Sequence, residues 1–426
     1  MPDKDSAFQM AAANLRYGPG VTREIGMDLA ELGAKRVLVV TDARLAELPP
    51  VQTVRESLDG EGVRYNVYDR VRVEPNDVSM RDVIEFAGQG TYDAFVAVGG
   101  GSSMDTAKAA NLYSTYPADL MSYVNAPLGG GEPVPGELKP LFAVPTTAGT
   151  GSETTGVIIF DLSELRAKTG IAHRRIKPTL GIVDPLNIRT LPPMVVASSG
   201  LDVFCHALES YTALPYDQRP RPEHPLLRPA YQGSNPISDI WALQAIEMGA
   251  KYLRRAYRDP EDDEARGAMV LASSFAGMGF GNAGVHLCHG MSYPISSMAR
   301  DYCAPDYPDE HPFVPHGISV ALTAKAVFTF TGPACPDRHR KAAEILGADA
   351  AGVADADAGR LLADCLVEMM RELDLPNGLS AVGYTEDDIP ALVEGTLPQH
   401  RVTKLSPIPA GAEELTRMFE DSMTLW

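Results

Sequence analysis

The stretch Ala94-Phe-Val-Ala-Val-Gly-Gly-Gly-Ser-Ser-Met-Asp-Thr-Ala-Lys108 decides the fold of the first half of the chain. An apolar run is followed by consecutive glycines and then by residues typical of a helix start. Glycine lets backbone N–H groups approach a pyrophosphate closely, and Ser102 is expected to cap a helix whose positive end faces it. The run is not the G-x-G-x-x-G fingerprint. It therefore predicts a strand–turn–helix unit and leaves open whether the turn binds a nucleotide or is merely tight.

A second turn supports the nucleotide interpretation. Pro145-Thr-Thr-Ala-Gly-Thr-Gly-Ser-Glu153 follows another apolar run and is dense in hydroxyl groups and glycine. Asp42 ends the run Val39-Val-Thr-Asp42, where a carboxylate accepts the ribose hydroxyls and repels a 2′-phosphate. That position favours NAD over NADP, with a helix cap as the alternative role of Asp42.

The pattern of apolar residues changes at Leu191-Pro-Pro193. Before it, short β-branched runs alternate with helical patterns, as in a parallel α/β sheet; after it, helical periods dominate. The expected strands are Arg36–Val40, Tyr65–Tyr68, Ala94–Val98, Phe142–Val144, Gly156–Phe160 and Leu180–Val183. The expected helices include Thr22–Leu32, Asp77–Gly88, Val195–Tyr211, Ser238–Arg255, Glu264–Gly277, Ala351–Leu373 and Glu413–Met423. We therefore predict an α/β domain over residues 1–192 and an all-α domain over residues 193–426.

Composition excludes several classes of partner. The net charge of −19 argues against a nucleic-acid surface and against anionic membranes. The five cysteines are far apart and form no Cys-x-x-Cys pair, which fits a reducing compartment. The first residues contain neither an apolar signal core nor an Arg-rich amphipathic stretch. We expect a soluble cytoplasmic protein.

Four residues of the second half form a candidate metal site. Asp202 and His206 are four positions apart on a predicted helix and therefore share one face. His289 lies in His-Leu-Cys-His-Gly-Met, and His316 lies in Val-Pro-His-Gly-Ile-Ser. One carboxylate and three imidazoles suit Fe(II) or Zn(II). His286 competes with His289 as a ligand, and four separately satisfied polar residues are the alternative to a metal site.

Together these segments resemble the iron-containing (group III) alcohol dehydrogenases, over essentially the whole chain. The matching stretches are Gly99–Lys108, Pro145–Glu153, Asp202-x-x-x-His206, His289-Gly-Met and Pro315-His-Gly317. Longer strings resemble the hydroxyacid–oxoacid transhydrogenase branch of that family: Arg72–Pro75, Thr154–Val157, Ile176–Gly181, Arg228–Asp239, Asn282–His289 and Arg401–Leu405. The resemblance implies a dehydroquinate-synthase-like fold. Its N-terminal domain would bind the dinucleotide, and its helical C-terminal domain would bind metal and substrate.

The resemblance also implies site residues and an activity. The metal ligands would be Asp202, His206, His289 and His316, acting in catalysis through the metal, with Fe(II) favoured and Zn(II) possible. The NAD contacts would be Asp42, Asn76, Gly100, Gly101, Ser102, Asp105, Thr146, Thr147, Thr155 and Lys168. The reaction would be oxidation of 4-hydroxybutyrate to succinic semialdehyde, coupled to reduction of 2-oxoglutarate to 2-hydroxyglutarate through bound NAD. The family also implies a homodimer or larger homo-oligomer.

Both substrates are acids, so cations are expected near them. The candidates are Arg219, Arg221, Arg228 and Lys404. Tyr293 stands where many family members have a second histidine beside the nicotinamide, and it could relay a proton or merely pack.

The rival functions are a plain NAD-dependent alcohol or 4-hydroxybutyrate dehydrogenase that releases NADH, and, more distantly, a non-catalytic NAD-binding scaffold. A lyase of the dehydroquinate-synthase type fits less well, because its metal site resembles a Glu and two histidines.

Overall fold

A six-stranded sheet organises the first half of the chain in a computed structural model, which describes residues 4–165, 167–307 and 311–426. Two further strands form a separate antiparallel hairpin. The strands are β1 Leu15–Tyr17, β2 Arg36–Val40, β3 Arg64–Tyr68, β4 Ala94–Gly99, β5 Leu141–Pro145, β6 Val157–Leu162, β7 Ala167–Ala172 and β8 Leu180–Val183. The sheet has the order β1-β8-β5-β4-β2-β3, and all its neighbours are parallel.

The central strands explain why this sheet is parallel and covered on both faces. Every residue of β4 and β5 is buried, and both strands are continuous apolar runs rather than alternating ones. Val37, Val39 and Val96 point into one apolar core, while Leu38, Phe95 and Ala97 point into another. Helices on the two faces cover these cores.

The fifth expected strand has a different role from the one predicted. Gly156–Phe160 was expected in the parallel sheet, but β6 pairs antiparallel with β7. The hairpin register places Asp161 opposite Lys168, and their side chains form an ion pair at 3.2 Å. An apolar run alone does not determine which partner a strand takes.

Fifteen α-helices are assigned within the described residues. In the first half they are α1 Ile25–Glu31, α2 Pro49–Gly60, α3 Asp77–Gly88 and α4 Gly101–Thr115. In the second half they are α5 Pro193–Thr212, α6 Pro236–Arg258, α7 Asp263–Ala283, α8 Leu287–Ser297, α9 His316–Ala321, α10 Ala324–Thr331, α11 Pro336–Ile345, α12 Ala358–Glu372, α13 Ile389–Thr396, α14 His400–Thr403 and α15 Ala412–Asp421. The helix expected over Ala351–Leu373 starts only at Ala358: Gly352 adopts a positive φ of 73°, and Asp355–Asp357 form a 3-10 turn before the helix.

The chain divides into two compact units. The helical unit comprises Met1–Ala11, Pro192–Ala265 and Phe275–Trp426; the α/β unit comprises Ala12–Leu191 and Arg266–Ser274. This division differs from the expected 1–192 and 193–426 in Met1–Ala11, Pro192 and Arg266–Ser274. Arg266 shows why the last segment belongs to the α/β unit: its buried guanidinium donates to the carbonyls of Ile188, Arg189 and Leu191.

Among the described residues, no single helix is long and apolar enough to cross a bilayer, although α7 and α8 pass that test as a pair bent by 105°.

Candidate functional site

The helical unit brings Asp202, His206, His289 and His316 together. Their ligand atoms all lie within 4.8 Å of one another. Asp202 Oδ1 is central: it is 3.5 Å from His206 Nδ1, 3.6 Å from His289 Nε2 and 3.8 Å from His316 Nε2. The first three residues are buried, and His316 is partly exposed. One carboxylate oxygen thus faces three imidazole nitrogens in a largely buried cluster.

Close helix packing produces this convergence. Asp202 and His206 lie one turn apart on α5, and His316 is the first residue of α9. A Cβ atom on Gly317 would lie 2.0 Å from the carbonyl oxygen of Ser198, so only glycine allows α9 to approach α5 this closely. The ring of Phe280 stacks on His206 with centroids 4.0 Å apart and fixes the plane of that imidazole.

The pocket fits a divalent cation. Asp202 Oδ1, His206 Nδ1 and His289 Nε2 are buried and have no hydrogen-bond partner within the described part of the chain. Each such atom costs about 1–3 kcal/mol when it is left unsatisfied. One cation bound among the four residues would satisfy all three atoms, and one carboxylate with three imidazoles is a donor set that Fe(II) and Zn(II) accept.

Glu209, which sequence reasoning missed, orients His289. Its fully buried carboxylate contacts His289 Nδ1 through a short hydrogen bond and accepts from the backbone N–H of Cys288 at 2.6 Å. A carboxylate on the far nitrogen of a ligand imidazole fixes the ring and raises its basicity. The signal was visible in the sequence, because Glu209 follows His206 by three residues and Asp202 by seven on one helix face.

His286 has different partners from His289 in the structure. His286 Nδ1 lies 3.2 Å from Glu209 Oε1, and its Nε2 lies 3.0 Å from the Thr212 hydroxyl. His286 therefore contacts Glu209 and Thr212, and its Nε2 is occupied by the Thr212 hydroxyl. His289, and not His286, belongs to the cluster of four.

The buried charges shift the ionisation of this group. Burial lowers the pKa of His206 to about 3, so its imidazole is neutral at physiological pH. Burial acts in the same direction on His289, but the adjacent Glu209 carboxylate raises the pKa of His289 to about 10. Burial likewise opposes ionisation of Asp202, yet the surrounding imidazoles keep the pKa of its carboxyl below the usual range. A cation that binds here would displace the proton held by His289.

We expect Glu209→Gln to weaken metal binding by about 10–100-fold, the usual effect of removing a carboxylate from a ligand imidazole. Competition with a chromophoric chelator would measure this affinity. Glu247→Gln, at a surface position of α6 in the same unit, serves as the control and should leave the affinity unchanged. Equal affinities for the wild-type protein and Glu209→Gln would contradict the orienting role.

The α/β unit contains the glycine turn at the start of α4. Gly99 has a positive φ of 151°, and a Cβ atom there would lie 2.2 Å from Ser103 Oγ. Cβ atoms on Gly100 and Gly101 would lie 3.1 Å from Thr147 Cγ2 and 2.8 Å from Thr150 Cγ2. The turn therefore packs against the hydroxyl-rich turn after β5, and both expected nucleotide turns lie together.

The expected cap of α4 is wrong. Gly100, not Ser102, occupies the N-cap position, and no side chain caps the helix. Ser102 lies inside the first turn, where its hydroxyl accepts from the backbone N–H of Glu74 at 3.2 Å. The first N–H groups of α4 thus have no side-chain cap.

Several expected NAD residues are engaged with the protein itself. Asp42 accepts from the backbone N–H groups of Arg44 and Leu45 at 2.9 Å, so the alternative role as a turn cap is present. Asn76 is the N-cap of α3 in a reciprocal pair with Ser79. Lys168 pairs with Glu74 at 2.8 Å as well as with Asp161.

Asp105 is similarly engaged. It accepts from Ser152 Oγ and from the backbone N–H of Ile159, each at 2.9 Å. Of the expected hydroxyl contacts, Thr146 and Thr155 are buried, while Thr147 lies against Gly100.

Two of the four expected substrate cations form ion pairs within the protein. Arg219 and Arg228 both pair with buried Asp5, at 2.8 and 2.9 Å. Both guanidinium groups are therefore bound to one carboxylate of the protein itself, which does not support a role in binding a substrate carboxylate. Arg221 and Lys404 are exposed. Tyr293 is buried, and its hydroxyl accepts a short hydrogen bond from Arg401.

Known proteins resemble the chain along nearly its whole length. The family description "Iron-containing alcohol dehydrogenase" matches residues 12–185, and "Fe-containing alcohol dehydrogenase family, C-terminal" matches residues 230–423. The mitochondrial hydroxyacid-oxoacid transhydrogenase of Bos taurus is 61% identical over 424 residues, which cover 99% of this chain and 91% of that protein. The Homo sapiens protein of the same name is 60% identical over the same shares of the two chains.

Solved structures share the fold. The alcohol dehydrogenase from Oenococcus oeni superposes with a TM-score of 0.85 at 27% identity, over 98% of this chain and 100% of that chain. This similarity confirms the expected α/β dinucleotide-binding half followed by a helical half. The expectation of a cytoplasmic location is wrong, because both mammalian relatives are named as mitochondrial proteins.

Proposed function

Because the chain belongs to the iron-containing alcohol dehydrogenase family and is a metal-dependent NAD oxidoreductase, we propose that it is a hydroxyacid–oxoacid transhydrogenase. It oxidises 4-hydroxybutyrate to succinic semialdehyde and reduces 2-oxoglutarate to 2-hydroxyglutarate, while NAD stays bound through both half-reactions. The observation that carries this proposal is the near-full-length likeness to enzymes of that name. We also propose that it forms a homodimer or larger homo-oligomer.

In this proposal Asp202, His206, His289 and His316 hold the metal ion, which we propose to be Fe(II). When bound, the ion supplies a Lewis acid that polarises the reacting oxygen of either substrate. The protein's own contribution is orientation. Glu209 fixes the ring of His289, and Phe280 fixes the ring of His206. Burial of the first three ligands limits the access of water, which strengthens electrostatic interactions at the site.

The α/β unit holds NAD in this proposal. The backbone N–H groups at the start of α4 receive the pyrophosphate, because no side chain caps them and the helix dipole favours an anion there. Gly100 and Gly101 leave room for close approach, and the hydroxyl of Thr147 lies beside them. Ser102, Thr146 and Thr155 supply further polar groups. Asp105 supports the turn after β5 by accepting a hydrogen bond from Ser152. Asp42, Asn76 and Lys168 complete the proposed set of NAD contacts.

Transfer of deuterium tests the proposal directly. 4-Hydroxybutyrate deuterated at C4 is incubated with 2-oxoglutarate and the purified protein, in the presence of a large excess of unlabelled NADH. We expect the 2-hydroxyglutarate to carry deuterium at C2, because a captive cofactor does not exchange with the free pool. Mass spectrometry of the product measures the transfer.

The same experiment separates the rival functions. An ordinary dehydrogenase exchanges its cofactor, so the free NADH pool dilutes the label and the 2-hydroxyglutarate is unlabelled. A dehydrogenase also produces NADH from 4-hydroxybutyrate and free NAD without any oxo acid. A non-catalytic scaffold yields no semialdehyde under either condition. An unlabelled 2-hydroxyglutarate, or no semialdehyde at all, would overturn the proposal.

A further inference from the structure

The helical unit contains a half-buried arginine that forms no ion pair with any carboxylate in the described part of the chain. Arg401, on α14, donates through Nη2 to Tyr293 Oη, and its guanidinium carbon lies 5.1 Å from the centroid of the Tyr231 ring. Its Nη1 is buried and has no hydrogen-bond partner, and no Asp or Glu within the described ranges lies at ion-pair distance. By contrast, Arg338 lies over a tyrosine ring in the same way but pairs with Asp239 at 2.8 Å.

An uncompensated buried charge is costly, so the arrangement indicates that an anion completes it. The chain has a net charge of −19, and yet no carboxylate of residues 4–165, 167–307 or 311–426 forms an ion pair with Arg401. The two aromatic residues hold the guanidinium in place. Tyr231 does so through its ring face, and Tyr293 does so through its hydroxyl oxygen.

Two series of contacts within the helical unit connect Arg401 to the proposed metal ligands. Tyr293 follows His289 by one turn of α8, so both side chains leave the same helix face. α14 packs onto α8 beside that ligand: a Cβ atom on Gly290 would lie 2.7 Å from Thr403 Cγ2.

The second series of contacts runs through aromatic rings from Arg401 to His206. The ring of Tyr231 meets the ring of Phe280 edge-on with centroids 6.4 Å apart, and Phe280 in turn stacks on His206. The guanidinium is therefore fixed relative to two of the four proposed ligands. Such fixed placement is what a site needs to hold one end of a substrate while the other end reacts.

Both proposed substrates carry a carboxylate at the same number of bonds from the reacting carbon, so one fixed cation could bind either of them. In 4-hydroxybutyrate, two methylene groups separate the reacting carbon from the carboxylate carbon. In 2-oxoglutarate, two methylene groups separate the keto carbon from the distal carboxylate carbon. Both substrates therefore share a –CH2–CH2–COO⁻ arm on the reacting carbon, and a single anion-binding group at one distance from the metal serves both half-reactions.

We propose that Arg401 binds the carboxylate at the end of this shared arm in both the hydroxy acid and the oxo acid. A guanidinium presents two parallel N–H groups to a carboxylate, which an ammonium does not. Tyr293 acts as a positioning residue for Arg401 in this role. The inference rests on the proposed function for the identity of the substrates, and it replaces Arg219, Arg221, Arg228 and Lys404 as the expected carboxylate ligands.

The test compares an acid with its neutral isostere. For Arg401→Gln, kcat/KM is measured with 4-hydroxybutyrate and with 4-hydroxybutyramide, in which an amide replaces the carboxylate. We expect the value for the acid to fall by about a hundredfold or more, as for loss of a charge-assisted paired contact, and the value for the amide to change by less than about threefold. Arg401→Lys should recover only part of the loss. Equal falls for both compounds would overturn the proposal.

Two further variants keep the test decisive. Arg338→Gln also removes a guanidinium from a tyrosine ring, and it should leave the acid-to-amide ratio unchanged. If Arg401→Gln does not fold, Tyr293→Phe provides the test. This variant keeps the guanidinium but removes the hydroxyl that binds it, so the ratio of kcat/KM for the acid to kcat/KM for the amide should fall several-fold. An unchanged ratio in Tyr293→Phe would then overturn the proposal.

A binding measurement separates this inference from the proposed function. Calorimetry follows the binding of butyrate, which carries the same arm without a reacting group, to metal-loaded wild-type protein and to Arg401→Gln. Binding that depends on Arg401, without deuterium transfer between the two acids, would reject the transhydrogenase and retain the carboxylate site. If deuterium is transferred but butyrate binds equally well to the wild-type protein and to Arg401→Gln, the transhydrogenase is retained and the carboxylate site is rejected.

Discussion

His206→Ala is expected to leave the purified protein without a stoichiometric metal ion and to lower the rate of hydride transfer by about a thousandfold or more. His206 supplies one of the three imidazole nitrogens that face Asp202 Oδ1. A bound cation contributes several kcal/mol to stabilising the charge that develops on the reacting oxygen. At about 1.4 kcal/mol per factor of ten, losing that contribution gives the expected rate. Metal analysis by mass spectrometry and the deuterium-transfer assay measure the two effects.

A matched variant controls for the loss of a buried histidine. His339 is fully buried in the same unit, but it binds Thr331 and Cys335 and lies outside the ligand cluster. His339→Gln should retain the metal. If His206→Ala also kept one metal per chain and normal hydride transfer, the four residues would not be the metal site.

The sequence predicted most of the sheet because its central strands carry their own signal. The run at β4 is continuously apolar and ends in glycine, and its predicted and observed bounds differ by one residue. β1 was missed because three residues are too short to show a period. The strand at β6 was expected in the parallel sheet, and β7 was not predicted, because periodicity describes burial, whereas pairing direction depends on contacts that form only in the folded chain.

In the candidate site, too, contacts between residues close in the sequence could be predicted, and contacts between distant residues could not. The pairing of Asp202 with His206 follows from helix geometry alone. Arg228 looked available for a substrate because its partner, Asp5, lies 223 residues away in the sequence. Arg401 gave no local signal, since the tyrosine that fixes its guanidinium is 108 residues distant. Whether a side-chain cation can bind a ligand depends on its ion pairs in the folded chain, and the sequence does not show these pairs.

The second large effect expected is on stability and concerns the nucleotide half. Lys108 is fully buried on α4, where its ammonium donates to Ser152 Oγ at 2.6 Å and to the carbonyl of Val157 at 3.0 Å. Asp105 Oδ1 lies 3.6 Å away. Burial lowers the pKa of Lys108 and raises the pKa of Asp105, so each charge depends on the other and on these hydrogen bonds. The network joins α4 to the turn after β5 and to β6.

Lys108→Met is therefore expected to destabilise the α/β unit by about 3–5 kcal/mol, the usual cost of removing one partner from a buried ion pair. For a unit of this size that corresponds to a fall of roughly 6–20 °C in the midpoint of thermal unfolding. NAD affinity should fall as well, because Ser152 and Val157 flank Thr155. Differential scanning calorimetry and NAD titration measure the two effects. Lys251→Met, at an exposed position of α6, is the control and should change stability by less than about 0.5 kcal/mol.

The double variant Asp105→Asn/Lys108→Met distinguishes charge from packing. If the cost of Lys108→Met comes from the uncompensated Asp105 carboxylate, removing that charge as well should recover part of the lost stability, because replacing both partners of a buried pair costs less than replacing one. If the cost comes instead from the lost donors to Ser152 and Val157, the double variant should be at least as unstable as the single one. A midpoint for Lys108→Met equal to that of the wild-type protein would contradict both accounts and would mean that the turn after β5 is held by its own backbone bonds.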